Sequence, residues 1–174
     1  MKAASVLREQ LQTSHELLET TLADVTADQL HWSPPGVANP LGASYAHILM
    51  SEDIIINGLL RKQAPLAMSS WAGKLGVSEP HPALGQDWNE WARKVKIDLA
   101  ALKQYGQAVF AASDEYIASL GDADLEEKAD LSGFGLGERT FAWVLANIAV
   151  SHVGEHCGEI SCLKGLQGSK GYPF

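Results

Sequence analysis

An apolar repeat of three and four residues runs through four long stretches of this chain, and each stretch stops at a cluster of prolines or glycines. Leu7, Leu11, Leu18, Leu22 and Val25 make the first stripe. It ends before HWSPPGVANP (31–40), whose three prolines and one glycine forbid a continued helix. The second stretch spans about 41–60, with Tyr45, Ile48, Leu49, Ile55, Ile56 and Leu59 in phase. Residues 61–86 then carry Pro65, Gly73, Gly76, Pro80, Pro82 and Gly85, a long connection of the kind that often serves function. The third helix is expected to open at Asp87, a cap with Glu90 three residues on. Trp88, Trp91, Val95, Leu99, Leu102, Val109, Phe110, Ile117 and Leu120 keep its phase, which predicts one rod of roughly 50 Å, kinked near Gly106 and stopped at Gly121. Residues 122–138 are acidic, then glycine-rich, and read as loop. The fourth helix is expected from near Arg139 to about Leu166, followed by an irregular tail, GLQGSKGYPF. With no convincing alternating strand, the pattern predicts an all-α chain. It would be one domain over 1–174, an antiparallel four-helix bundle with long connections between helices 1 and 2, 2 and 3, and 3 and 4.

Composition narrows the function. A length of 174 residues with 46% hydrophobic and 20% charged residues suits an ordinary globular chain and excludes a disordered one. A formal charge of −8 repels phosphate backbones, so nucleic acid is not expected as a partner. The start, MKAASVLREQLQ, does not read as a secretory signal, and the densest apolar stretch, Phe141–Val150, is too short to span a bilayer. Cys157 and Cys162 are five residues apart and face different sides of a helix, so no mutual disulfide is expected and a cytoplasmic location fits. Both read as small packing residues, and Gly154 and Gly158 as places where helices approach closely, within the chain or across a dimer.

The chemistry concentrates in the fourth helix. At about 100° per residue, His152, His156 and Glu159 fall in the middle of the stripe made by Phe141, Leu145, Ile148, Ala149, Leu163 and Leu166. Unpaired polar groups in a core cost about 1–3 kcal/mol each, so something must compensate. Two imidazoles at i and i+4 can reach one metal ion. The competing reading is a pair of core histidines bonded to each other or to carbonyls. HVGEH also spells the inverted zinc-peptidase motif, with Glu155 as base. That motif needs a ligand well downstream, and only 18 residues follow His156. A third ligand could come from His15, His31, His47, His81, Glu52 or Asp53. His47 lies away from the main stripe of its helix, on a second apolar face with Ala43, Met50 and Ile54. Glu52 lies inside the main stripe, as a ligand or as a partner of one. His15 sits at a stripe edge where it could line a cavity, while His31 and His81 fall in proline-rich loops and are expected to be solvated. Trp32 and Trp71 could wall a pocket.

These residues resemble a known family. SYAHILMSED around His47, HVGEHCGEISCLKGL around His152 and His156, the stretch HWSPPGVANPLGASYAH and the tail GLQGSKGYPF look like the DinB-like or YfiT-like superfamily. The resemblance covers essentially the whole chain and rests mainly on the three histidines. It implies a four-helix bundle, often dimeric, in which His47, His152 and His156 hold a divalent metal, usually zinc or nickel. Relatives include thiol S-transferases that use bacillithiol or mycothiol, mycothiol-dependent isomerases and proposed metal hydrolases.

The resulting expectation is a metal-dependent transferase or hydrolase acting on a small molecule, with a low-molecular-weight thiol as one candidate. Three protein ligands would leave a position open, where a thiol or water becomes a nucleophile near neutral pH. Glu159 would hold a histidine N–H or relay a proton. The alternative is a non-catalytic small-ligand or stress-response protein.

Overall fold

The computed structural model describes residues 2–82 and 88–174. The Asp87 cap and Gly85 lie outside the described residues. The described chain is mostly helical, as the periodicity requires.

Helix α1 (Ala3–Thr21) buries Leu11, His15, Leu18 and Thr21. It stops four residues before Val25 because its last carbonyls find a partner from far along the chain. The buried Lys164 donates to Thr21 O at 2.6 Å and to the Asp24 carboxylate at 2.5 Å, placing a cation at the negative end of the helix. A separate short helix, α2 (Ala27–His31), then starts on a capping box between Thr26 and Gln29.

Helix α3 (Leu41–Asp53) follows Pro40 and continues as a π-helix over Ile54–Leu60. It is buried on two sides: Tyr45, Ile48 and Leu49 are enclosed on one, Ala43 and Met50 on the other. At its end the buried Asp53 accepts hydrogen bonds from Leu66 N (2.9 Å), Ala67 N (2.8 Å), Asn57 Nδ2 (2.8 Å) and Tyr105 Oη (2.8 Å). One carboxylate thereby fixes the start of the 61–82 connection to the core.

The expected single third helix is two helices, α4 (Trp88–Lys94) and α5 (Leu99–Ser119). Residues 95–98 leave the helix because tertiary bonds replace helical ones. Ser78 N donates to Lys96 O (2.9 Å), Asp98 N to Gly76 O (2.8 Å) and Ile97 N to His31 Nε2 (2.9 Å). Gly76 makes this possible: its φ is 76°, and a Cβ there would lie 2.6 Å from Asp98 O. Asp98 restarts the helix by accepting from Ala100 N and Ala101 N. Gly106 is not a kink. The helix runs through it, and its missing side chain lets α5 settle against Leu49 and Tyr45, which a Cβ would meet at 3.0 and 3.2 Å.

Residues 122–138 are not all loop. β1 (Lys128–Asp130) pairs antiparallel with β2 (Glu138–Thr140), Ala129 opposite Arg139. Three-residue strands, with Ala129 the only residue of them that is buried, are too short to show an alternation. Thr140 then caps α6 (Phe141–Val144) by accepting from Trp143 N.

From α6 the chain passes through a π-helical turn, Leu145–Ser151, into α7 (His152–Leu166). This turn overturns the expected face. A straight 3.6-residue repeat carried on from Leu145 arrives at His152, His156, Glu159 and Leu163. The residues that are buried after Ala149 are Val153, Cys157, Ile160, Leu163 and Lys164. The π-turn holds one residue more than an α-turn, so the core stripe slips by one position. Leu166, expected in the stripe, is 65% exposed. The histidines sit at the edge of the core, half-buried.

Helix α1 packs on α5 and α7, and α3 packs on the same two helices. Among the described residues no helix is long and apolar enough to cross a membrane. Removing the cap that restarts α5, Asp98→Ala, is expected to cost about 1 kcal/mol, read as a lower urea midpoint with an unchanged slope.

Candidate metal centre

The one-residue slip aims two rings of α7 at α3. His152 Nε2 lies 3.1 Å from His47 Nε2, and the ring centroids of His47, His152 and His156 are 5.0, 5.0 and 4.5 Å apart. One nitrogen from each ring lies within 4.8 Å of the others, a group that could hold a metal ion. Ligands at about 2.0–2.1 Å from a tetrahedral zinc stand roughly 3.3 Å from each other, close to the 3.1 Å between the His47 and His152 nitrogens. The rings meet edge-on, at interplanar angles of 61°, 81° and 81°. Such angles let lone pairs converge.

Two of the outer nitrogens have partners. Glu159 Oε2 lies 2.6 Å from His156 Nδ1, so that nitrogen is the donor to the carboxylate. Ser51 Oγ lies 3.4 Å from His47 Nδ1. Burial, then repulsion from His152, His156 and His81, pushes His47 down to about 3. Burial, then His156, pushes His152 down to about 4. Both rings are therefore neutral at pH 7, the state in which imidazole binds a cation. The bond between His47 and His152 is what a pair of core histidines would make. A third imidazole in the same space, bonded outward to Glu159, is what that reading does not explain.

The other candidates lie elsewhere. Glu52 is buried, and its carboxylate accepts from Ser113 Oγ (2.6 Å) and faces His15 Nε2 (2.8 Å). His15 stacks on Phe110 at 3.7 Å and lines a cavity of about 320 Å3 between α1 and α5. Asp53 holds the 61–82 connection. Glu155 is exposed. Within the chain a Cβ at Gly154 would meet nothing, and one at Gly158 would meet only Tyr172 of the tail at 3.4 Å, so neither marks a close approach of helices within the chain. Cys157 is buried against Thr21, and burial pushes its thiol up, whereas Cys162 is exposed and does not pack.

His31 and His81 are not solvated loop residues. His31 bonds Ile97 N through Nε2 and Ala27 O through Nδ1, clamping α2 to the break before α5. His81 stacks 6.0 Å from His47, with Trp88 and Trp91 at 5.4 and 5.6 Å. Burial pushes its pKa down. Trp88 also lies 4.6 Å from His47 and stacks on Trp91 at 4.7 Å. These indoles wall the cluster, while Trp71 packs towards Tyr105 at 6.0 Å and Trp32 against the core. Periodicity placed both α4 tryptophans on a core stripe. Trp91 is buried in the core as the stripe requires, and Trp88 lies against His47.

A mostly helical chain with a three-imidazole cluster between two helices is the class that fold and site define. The profile of the DinB superfamily matches residues 10–160, and the chain belongs to that superfamily. A conserved protein from Enterococcus faecalis, known from its crystal structure, shares the fold with a TM-score of 0.74. It is 24% identical, over 95% of this chain and 99% of that one. No curated protein sequence matches.

The depressed histidines make a pH prediction for the chelated protein. Their folded pKa values lie below the ordinary 6.5 or so, so between about pH 6.5 and 4 the unfolded chain binds protons that the folded chain refuses. Stability should fall as pH is lowered through that window, by up to about 1.4 kcal/mol per pH unit for each ring. Urea midpoints measured from pH 7 to 4.5 with EDTA present check this, and His152→Gln should show a shallower slope.

Proposed function

We propose that this DinB-superfamily chain is a metal-dependent enzyme that acts on a small molecule, as a thiol-dependent S-transferase or a hydrolase. The observation that carries the reading is the convergence of three imidazole nitrogens within 4.8 Å at a half-buried edge. His47, His152 and His156 would hold a divalent cation, zinc or nickel, and their soft-to-borderline nitrogen donors suit both. Bound there, the cation would lower the pKa of a thiol or water and so supply a nucleophile at neutral pH.

The protein's own residues do the rest. Glu159 fixes the His156 ring through Nδ1–H and, with its carboxylate 59% exposed, connects the site to solvent for a proton. Ser51 stands next to the outer nitrogen of His47. Trp88 covers the His47 ring and limits water on that side. The half-buried histidines leave the cluster open to a small molecule rather than sealed as a structural site. We read the chain as a single four-helix-bundle domain that works as a homodimer in the cytoplasm, with neither nucleic acid nor membrane as partner; its net charge of −8 supports the exclusion of nucleic acid.

Protein purified without a nickel column should carry about one divalent ion per chain by elemental analysis. His152→Ala should lower metal affinity at least tenfold and abolish turnover of a low-molecular-weight thiol with a model electrophile, while its circular dichroism stays native. Saturating metal should raise stability by about 4 kcal/mol at a thousandfold excess over Kd. Metal-free protein whose unfolding ignores both zinc and EDTA would instead indicate the non-catalytic ligand-binding protein.

A further inference from the structure

Helix α3 carries a second polar centre, turned towards α1 and α5 rather than towards α7. Glu52 lies about 140° round the helix from His47 at 100° per residue and is 2% exposed. Its carboxylate is held from two sides: Ser113 Oγ donates to Oε1 at 2.6 Å, and His15 Nε2 lies 2.8 Å from Oε2. Phe110 stacks on the His15 ring at 3.7 Å and 18°. Carboxylate and stacked ring together fix the imidazole in position and orientation. None of these residues is used by the metal centre.

The other nitrogen of that ring is left over. His15 Nδ1 makes no hydrogen bond among the described residues. The sealed side-chain polar atoms there without a partner are Asn39 Oδ1 and His81 Nε2, so His15 Nδ1 is not sealed. The His15 side chain keeps 10% of its surface open, and the space that it lines is the cavity of about 320 Å3 between α1 and α5. A fixed ring nitrogen with an unfilled valence thus borders a space large enough for a small molecule.

The rest of the lining selects the ligand. Leu11, Phe110, Ala111 and Ile117 are apolar. The charges are already matched: Arg8 forks onto Asp114 through two bonds of 2.7 Å, and Gln12 Nε2 donates to the same carboxylate at 2.6 Å. Glu16 is exposed, where an ion pair adds little. A charged ligand would shed water for no new buried partner. An apolar body with one hydroxyl fits instead. A hydroxyl both donates and accepts, so it satisfies Nδ1 whether or not that nitrogen carries a proton. The Phe110 ring favours an aromatic body.

We propose that the cavity between α1 and α5 is a second small-molecule site, which takes a hydroxylated aromatic compound of about phenol's size with its hydroxyl on His15 Nδ1 and its ring against Leu11, Phe110 and Ile117. The site shares no residue with His47, His152 and His156, and it does not rest on the metal reading.

The test follows the His15 ring 15N resonances by NMR in wild-type protein with EDTA present, so that its outcome is independent of zinc. The protein is titrated with phenol and with toluene, in which a methyl group replaces the hydroxyl. Phenol is expected to move the Nδ1 signal, and toluene to leave it in place. An Nδ1 signal that millimolar phenol does not move, or that toluene moves as far, overturns the proposal.

Two variants locate the ligand. Ala111→Trp puts an indole into the cavity from an exposed helix position and leaves Glu52, His15 and Ser113 as they are. It is expected to abolish phenol binding with circular dichroism unchanged; phenol that still binds as in the wild type overturns the proposal. His15→Phe keeps a ring on Phe110 and removes the nitrogen. Its ratio of phenol to toluene affinity is expected to fall about fivefold, the worth of one neutral hydrogen bond, with intrinsic differences between the two compounds cancelling in the cycle. An unchanged ratio overturns the assignment to His15. Should the lone Glu52 carboxylate keep His15→Phe from folding, Ala111→Trp and the wild-type resonances decide the matter.

Discussion

One extra residue in a single turn decides where the chemistry of this protein lies. In the π-turn Leu145–Ser151 the helix advances a position without advancing the face, so the apolar stripe of α6 is taken up in α7 by Val153, Cys157 and Ile160. Had the turn been α-helical, His152 and His156 would occupy those places. They would face the core contact with α1, where Cys157 now meets Thr21. Rotation by one position, about 100°, instead carries them to the seam with α3, where His47 stands on that helix's second apolar face. A defect in helical winding thus does what no choice of side chain on a regular helix could do. It keeps the core stripe greasy and moves polar groups to its rim.

This rim position settles the energetic question that the histidines raise. Three imidazoles in a sealed core would cost their desolvation with little return. At half-burial the cost is smaller, and the ring nitrogens that point outward reach partners: Glu159 for His156, Ser51 for His47. His47 and His152 are buried enough to stay neutral and the half-buried cluster is open enough to be reached, two conditions of a cation site with a vacant position.

How much of this was legible follows from which forces act locally. The stripes of α1 and α3 are local, and they were readable from Leu11, Leu18, Tyr45 and Ile48. The three-histidine set was readable because His152 and His156 are four apart on one helix, while His47 came only from the family resemblance. What escaped was set by distant partners. Lys164 ends α1 from more than a hundred residues away, and Gly76 and His31 pull residues 95–98 out of a helix whose apolar phase never faltered. The π-turn escaped because periodicity arguments assume a constant 3.6 residues per turn. His81 was misjudged because prolines flank it. Prolines report a lack of regular structure, not exposure, and an irregular segment pinned at both ends can be packed.

That last point joins the site to the fold. The connection that bears His81 is held at its start by Asp53, which takes Leu66 N and Ala67 N, and near its end by the bonds of Gly76 and Ser78 to residues 96 and 98. The same break before α5 sets the direction of α4 and so places Trp88 over His47. Asp53 lies somewhat under two turns beyond His47 on one continuous helix. A single element therefore carries a candidate ligand on one face and the anchor of its covering segment on the other. Among the described residues the polar network around Asp53, Tyr105 and Asn57 makes no hydrogen bond to the three histidines, yet it fixes the start of the connection that leads to His81. Loosening Asp53 would disturb the covering segment before it disturbed the cluster, so the two are separable in principle although one helix supports both.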